Sequence, residues 1–345
     1  MIAFFQTGGI GDAILGSAII DRLIELYGRV ALLHYNHLVP QVIQGREDLA
    51  FIRKMTPEMC CDMDAVRKYA PEVDMVVFNK FRKDHDGKLN FFCPTNDSMN
   101  REAASYRNSY DRAFEAEYGK PFSELDPLVL LDTFNSETDY FSDWKRYGMN
   151  VGYDDVNIPI HDYTVDRNES KVLPIGKFAI VHDSKMPIDG KSVYPLKAWY
   201  RDRWKNLCHR IRDDYGLAVV QIITGDQEPF CDSVIPHYDI IGKDAIFQDY
   251  LYMLSKSALY VGTDSWPAHA AIFARGPKYV FLKGAVSRRW DHDYRFSKII
   301  RMGSCQACEG PLSASNNCIW DFGNRGCMNV ISVDNVMEAI SSAIG

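Results

Sequence analysis

The sequence predicts an α/β chain made of two doubly wound halves. Three observations carry this. Short apolar runs alternate with amphipathic stretches at helical spacing, the rhythm of parallel βαβ units. The rhythm stops between about 149 and 176, where Gly, Asp, Asn and Pro occur without a period, and then restarts. The length, 345 residues with 46% of them hydrophobic, suits about two domains with real cores.

The first half opens with an apolar strand, Ile2 to Phe5, followed by Gly8-Gly9-Ile10-Gly11-Asp12. Ile14, Leu15, Ala18, Ile19, Leu23 and Leu26 then recur at helical spacing, and the run ends at Gly28. Val30 to Leu33 reads as a buried strand, completing a βαβ unit. Val73 to Phe78 is a further strand, and Asn96–Gly119 and Asp139–Gly148 read as helices. In the second half, strands are expected at Phe178–His182, Ala218–Ile223, Leu259–Val261 and Tyr279–Leu282. Helices are expected at Trp199–Tyr215, Ile246–Ala258, Pro267–Ala274 and Val333–Ile344. The predicted organisation is a domain over 1–150, a linker over 151–176, a domain over 177–332 and a terminal helix over 333–345.

Charge and composition exclude some classes. Thirty-nine Lys and Arg face 46 Asp and Glu, a net charge of −7, which argues against a nucleic-acid coat. No apolar run reaches the ~18 residues of a membrane span. MIAFFQTGGIGD lacks the basic and small-residue features of a signal peptide, so a cytoplasmic location is expected. Nine cysteines, an odd count, do not suggest a disulfide scaffold.

Four groups of residues point to chemistry. Gly9 and Gly11 follow a strand and precede a helix, where a backbone turns tightly and an anion is favoured. Asp12 is there a helix-capping residue or a general base. A dinucleotide site fits poorly, because His34-Tyr35-Asn36 supplies no acid for a ribose. The second group is Gly262-Thr263-Asp264-Ser265-Trp266-Pro267-Ala268-His269, which joins a strand to a helix. Thr263, Asp264 and Ser265 bring side-chain oxygens beside free amides, a cradle for a diphosphate, with His269 in the first helical turn. Third, Lys185, Lys191 and Lys197 lie on a loop beyond a strand and suit a phosphate-bearing ligand. Last, Cys305, Cys308, Cys318 and Cys327 begin with a Cys-x2-Cys pair inside a finger at 303–328. They fit a tetrahedral structural site for zinc or, equally, iron.

These segments resemble glycosyltransferase family 9, the ADP-heptose:lipopolysaccharide heptosyltransferases. Gly9-Ile10-Gly11-Asp12 with its helix resembles the opening of those enzymes. GTDSWPAHAAIFARG resembles their Asp-Ser-Gly-x-x-His strand–loop–helix. Lys191, Pro195 and Trp199 look like a Lys-x-Trp-Pro…Trp segment, and Thr224-Gly225-Asp226 with Glu228 like a Gly-x-x-x-Glu turn. The cysteine tail is similar to that of bacterial autotransporter heptosyltransferases, which modify protein serines and form rings.

The resemblance implies a GT-B fold, two Rossmann-like domains facing a cleft, with acceptor on the first and nucleotide-sugar on the second. It implies an inverting, metal-independent transfer of a heptose-like sugar to a hydroxyl of a cell-envelope glycan, a lipid-linked glycan or a protein. Asp12 would be the base. Gly11, Lys191, Thr224, Gly225, Gly262, Thr263, Asp264, Ser265 and His269 would bind the donor, with Lys185 or Lys197 as substitutes for Lys191. A homo-oligomer and peripheral membrane contact are open, and nucleic acid is not expected as a partner. Trp266 stands where the family has glycine, and its ring would narrow the pocket or stack on a sugar or base. The alternative from another class is a non-catalytic nucleotide-sugar-binding or assembly module.

Overall fold

The computed structural model describes residues 1–6, 9–43, 45–60, 63–78, 82–83, 89–90, 141, 150–158, 160, 176–184, 198–223, 227–240, 246–274, 278–283, 297–301 and 326–345. The chain divides into two units. One is Met1–Leu130 with Asp143–Pro159, the other Leu131–Ser142 with Ile160–Gly345. The helix expected at Asn96–Gly119, and that at Asp139–Gly148 apart from residue 141, lie outside the described residues.

In the first unit, β1 (Ile2–Gln6), α1 (Ile10–Tyr27) and β2 (Val30–His34) form the expected βαβ unit. The helix begins earlier than the apolar period suggests, because Gly9 supplies an extended N-cap and Ile10-Gly11-Asp12 already belong to the first turn. After α2 (Val39–Val42) come β3 (Leu49–Lys54), α3 (Pro57–Cys60), α4 (Met63–Tyr69) and β4 (Met75–Phe78). The sheet is parallel in the order β3-β2-β1-β4. All five residues of β1 are buried, as expected for a strand covered on both faces. On one face Ala3, Phe5, Ala31, Leu33 and Val76 pack with Cys60 of α3, Val66 of α4 and Ala70 just after it. A two-stranded ribbon, β5 (Arg82–Lys83) and β6 (Leu89–Asn90), follows.

The second unit runs β7 (Phe178–His182), α5 (Arg201–Tyr215), β8 (Ala218–Gln221), β9 (Val234–Pro236), α6 (His237–Ile240) and α7 (Phe247–Lys256). It continues with β10 (Leu259–Thr263), α8 (Trp266–Phe273), β11 (Lys278–Lys283), β12 (Ser297–Arg301) and α9 (Val333–Ile344). Its sheet is parallel, ordered β12-β11-β10-β7-β8-β9. Counted from β7 as strand one, this is the 3-2-1-4-5-6 order of doubly wound folds. In α5 the buried residues are Trp204, Leu207, Cys208 and Ile211, the i, i+3, i+4, i+7 stripe of a helix lying on a sheet. Gly216 ends it at φ 64°, a left-handed cap that costs glycine least. Trp204 stacks on Phe230 and meets Trp199 edge-on. The Trp199 indole N–H donates to the Ile331 carbonyl (3.0 Å), and α9 packs against α5, β11 and β12. Among the described residues, no helix is long and apolar enough to cross a membrane.

Candidate functional site

In a doubly wound sheet the strand order reverses once. Ligands bind beyond the carboxyl ends of the two strands at that point, because the chain leaves them in opposite directions and opens a crevice. In the second unit those strands are β7 and β10, paired with Gly262 opposite His182. Asp183-Ser184 follow β7, and Thr263, the last residue of β10, is followed by Asp264-Ser265.

These residues form one buried network. Asp183 and Thr263 have no exposed surface, and Ser184 is almost fully covered. Thr263 Oγ1 accepts the Ser184 N–H (2.6 Å) and lies 3.1 Å from Asp183 Oδ1 and 3.2 Å from Ser184 Oγ. A hydroxyl has one proton, so Thr263 donates to the carboxylate while Ser184 donates to Thr263. The Trp199 backbone N–H donates to both Asp183 oxygens, at 3.1 and 3.3 Å. Gln227 Nε2 donates to the Asp183 carbonyl (3.2 Å). Charge-assisted bonds of this kind offset the cost of burying a carboxylate. The network welds the ends of β7 and β10 together and fixes the start of the next turn. Thr263 is therefore a buttress under the turn, its hydroxyl engaged inside the protein.

The turn itself leads into α8. Ser265 is the N-cap, extended at φ −163°, and its side chain makes no capping bond. Its hydroxyl turns back towards the Thr263 carbonyl instead, at 3.5 Å. The Ser265 side chain therefore does not cap the positive end of the helix. Asp264 and His269 are nearly buried beside it, and Ser265 is half-buried. Trp266 is the first helical residue. Its half-buried ring packs on Phe247 (5.5 Å) and edge-on to Tyr250 (5.3 Å), both from α7. The bulky Trp266 ring is thus seated on aromatic neighbours.

Gly262 has a specific steric reason. A Cβ there would lie 2.2 Å from Tyr260 Oη and 2.5 Å from its Cζ. Tyr260 is fully buried and stacks on Tyr279, so it has nowhere to move. We expect Gly262→Ala to lose about 1–3 kcal/mol by overpacking, read as a lower midpoint in thermal melting.

Two histidines brace the neighbouring strand end. Fully buried His182 donates from Nδ1 to the Ile222 carbonyl (2.9 Å), and His237 Nδ1 accepts the Ile223 N–H (2.9 Å). Burial pushes both down to about 4, against the opposing pull of the Ile222 bond on His182 and of Asp239 on His237. Both rings are neutral at pH 7. The unfolded chain, with histidines near 6.5, binds more protons below that pH. Stability is therefore full above about pH 6.5 and falls towards pH 4, by up to about 1.4 kcal/mol per pH unit for each ring. Melting temperature should drop between pH 7 and 5, and His182→Gln should flatten the slope. A melting temperature constant over that range would contradict the assignment.

In the first unit, the strand-order reversal falls between β1 and β4, and Asp12 lies just beyond the end of β1. It is the third residue of α1, half-buried, and its Oδ2 accepts the Gly9 N–H at 3.0 Å. One carboxylate oxygen is used as a cap. This is half of a capping box, since glycine has no side chain to return the bond. Gly11 lies in the same turn.

Lys185, Lys191, Lys197, Thr224, Gly225, Cys305, Cys308 and Cys318 lie outside the described residues. Cys327 falls in a single 3₁₀ turn, Gly326–Val330, whose next residue, Met328, is fully buried. Sequence reasoning missed Asp183. Its one signal was an acid directly after a five-residue apolar strand, Phe178–His182.

No protein-family model and no curated protein sequence matches the chain. Solved structures do. A family 9 glycosyltransferase from Veillonella parvula superposes with a TM-score of 0.59 at 15% identity, covering 99% of this chain and 97% of that one. ADP-heptose lipopolysaccharide heptosyltransferase II of E. coli gives 0.57 at 11%, covering 100% and 98%. The iron-containing dodecameric glycosyltransferase TibC of enterotoxigenic E. coli gives 0.56 at 13%, covering 99% of this chain and 75% of that one. The chain has the GT-B fold that these glycosyltransferases share.

Proposed function

We propose that the chain transfers a sugar from a nucleoside-diphosphate donor to a hydroxyl acceptor. One observation carries the reading: the N-terminus of α8, which the Ser265 side chain does not cap, stands at the β7–β10 reversal, on a turn anchored by the buried Asp183–Thr263–Ser184 network. Such a turn receives a diphosphate on backbone amides and a helix dipole, without a metal. Ser265 and the Trp266 N–H contact the phosphates, since Pro267 has no N–H and the Ala268 N–H already donates to the Ser265 carbonyl, and Gly262, Asp264 and His269 shape the pocket. Lys191, or Lys185 or Lys197, supplies positive charge from the loop after β7. Thr224 and Gly225 border the sugar nucleotide after β8.

The reaction is a direct displacement. The acceptor oxygen forms a bond to the anomeric carbon as the bond from that carbon to the diphosphate breaks. The nucleoside diphosphate leaves with the electron pair, and the acceptor's proton passes to Asp12. Attack opposite the leaving group inverts the carbon. The GT-B fold shared with heptosyltransferases, including one whose substrate is ADP-heptose, favours an ADP-linked heptose as donor. A cell-envelope glycan, lipid-linked glycan or protein serves as acceptor, inside the cytoplasm.

Four cysteines with a Cys-x2-Cys start supply the soft thiolate donors that suit tetrahedral zinc or iron, and no more than a structural role follows from four protein ligands. Cys305, Cys308, Cys318 and Cys327 would hold the ion. TibC, which shares the fold, is iron-containing and dodecameric. We expect about one zinc or iron per purified chain, lost in a Cys305→Ser/Cys308→Ser variant. A well-folded, metal-free wild type would exclude the site. The same preparation sized by light scattering reports whether the chain forms a homo-oligomer.

The function itself is tested by incubating the protein with ADP-heptose and a cell-envelope extract. Transfer releases ADP and adds the sugar's mass to an acceptor. A donor that binds yet survives intact assigns the chain to binding or assembly instead.

A further inference from the structure

A thiol pair lies in the second unit, formed by two residues to which the sugar-transfer reading gives no role. Cys208 is buried on α5, in the stripe that faces the sheet. Cys231, half-buried, sits in the connection between β8 and β9 and packs against the same apolar cluster. Both are reduced, and they are hydrogen-bonded to each other. Cys231 Sγ also lies 2.9 Å from the Ser233 hydroxyl. Arg212, one turn along α5 from Cys208, adds positive charge towards Cys231.

The arrangement distinguishes the two sulfurs. Hydrogen bonds from the Cys208 thiol and from Ser233 favour the Cys231 thiolate and bring it down to about 5. The Cys208 thiol, which donates into that contact and is buried, is pushed up. One partly accessible thiolate with a buried thiol against it is the constellation of an attacking and a resolving cysteine.

We propose that Cys231 and Cys208 form a peroxide-responsive disulfide, with Cys231 as the attacking sulfur and Cys208 as the resolving one. Cys231 attacks a hydroperoxide. A sulfur–oxygen bond forms, the oxygen–oxygen bond breaks, and hydroxide or alkoxide leaves and takes up a proton. Cys208 sulfur then attacks the sulfenic sulfur, the sulfur–oxygen bond breaks, and water departs with the Cys208 proton. Two thiols and one hydrogen peroxide thus give one disulfide and two waters. The bond ties α5 to the segment that follows β8. That segment carries Phe230, stacked on Trp204, and Gln227, bonded to the Asp183 carbonyl. The cross-link therefore braces the floor of the proposed nucleotide turn, but its formation does not depend on that reading.

The test is a non-reducing peptide map of the intact reduced chain after exposure to a few equivalents of hydrogen peroxide. The expected product is a linked pair of peptides containing Cys208 and Cys231, 2 Da lighter than their sum and restored by dithiothreitol. In Cys208→Ser, Cys231 should stop as a sulfenic acid that dimedone captures. Recovery of both cysteines as free thiols from the wild type would overturn the proposal. So would a disulfide joining Cys231 to any other cysteine. The wild-type map decides by itself, whatever the folding of the variant.

Discussion

Replacing Asp12 by asparagine should remove sugar transfer while leaving nucleotide binding almost untouched. The substitution is chosen from the structure. Asp12 Oδ2 caps α1 through the Gly9 N–H, and the asparagine carbonyl oxygen accepts the same bond. The helix start therefore survives, and only the basicity of the group is lost. A positioned general base contributes about 10²–10⁴-fold, so turnover of ADP-heptose with acceptor should fall by that factor at unchanged ADP affinity. Asp12→Ala makes the useful contrast. It loses the base and the cap together, and adds about 1 kcal/mol of destabilisation. A loss of ADP affinity in Asp12→Asn would move this residue from chemistry to architecture.

The second large effect belongs to Asp183. Removing its carboxylate in Asp183→Ala leaves the Trp199 N–H without its acceptor inside a fully buried site and frees Thr263 from one of its anchors. Each orphaned buried donor costs about 1–3 kcal/mol, and a cavity adds to it. A melting temperature lower by about 5–10 °C follows from a loss near 3 kcal/mol. Asp183→Asn keeps an acceptor oxygen at the Oδ1 position, which serves both the Trp199 N–H and the Thr263 hydroxyl, and should recover most of the stability. Nucleotide affinity should track the same order, wild type then Asn then Ala, because the network sets the turn that the diphosphate meets. Equal melting temperatures for wild type and alanine variant would show that the network carries no load.

The contrast between these two residues shows what the sequence discloses. Asp12 was legible because its neighbours in space are its neighbours in the chain: a strand, two glycines and a periodic helix within the first 28 residues. The strands at Phe178–His182 and Leu259–Thr263 were legible for the same reason, as buried apolar runs. Asp183 was not, since its partners Trp199 and Thr263 are 16 and 80 residues away and meet it only once the parallel sheet has formed. The pattern Thr263-Asp264-Ser265 announced oxygens near a helix start, yet gave no hint that the Thr263 hydroxyl turns inward while Ser265 leaves its helix uncapped. β3 was missed because it is an edge strand with a half-exposed, mixed composition, Leu49-Ala50-Phe51-Ile52-Arg53-Lys54. The first-turn position of Trp266 was readable, but its seat against Phe247 and Tyr250 depends on α7, packed from elsewhere in the unit.

Hydrogen–deuterium exchange of the intact chain, with and without saturating ADP-heptose, puts the donor site to the most direct trial. Bound donor should slow exchange in peptides spanning 182–184 and 262–270, at the ends of β7 and β10 and the start of α8, and leave β3 and α4 unchanged. Protection confined to the first unit, or none anywhere at a concentration that saturates binding, would contradict a diphosphate seat on that turn.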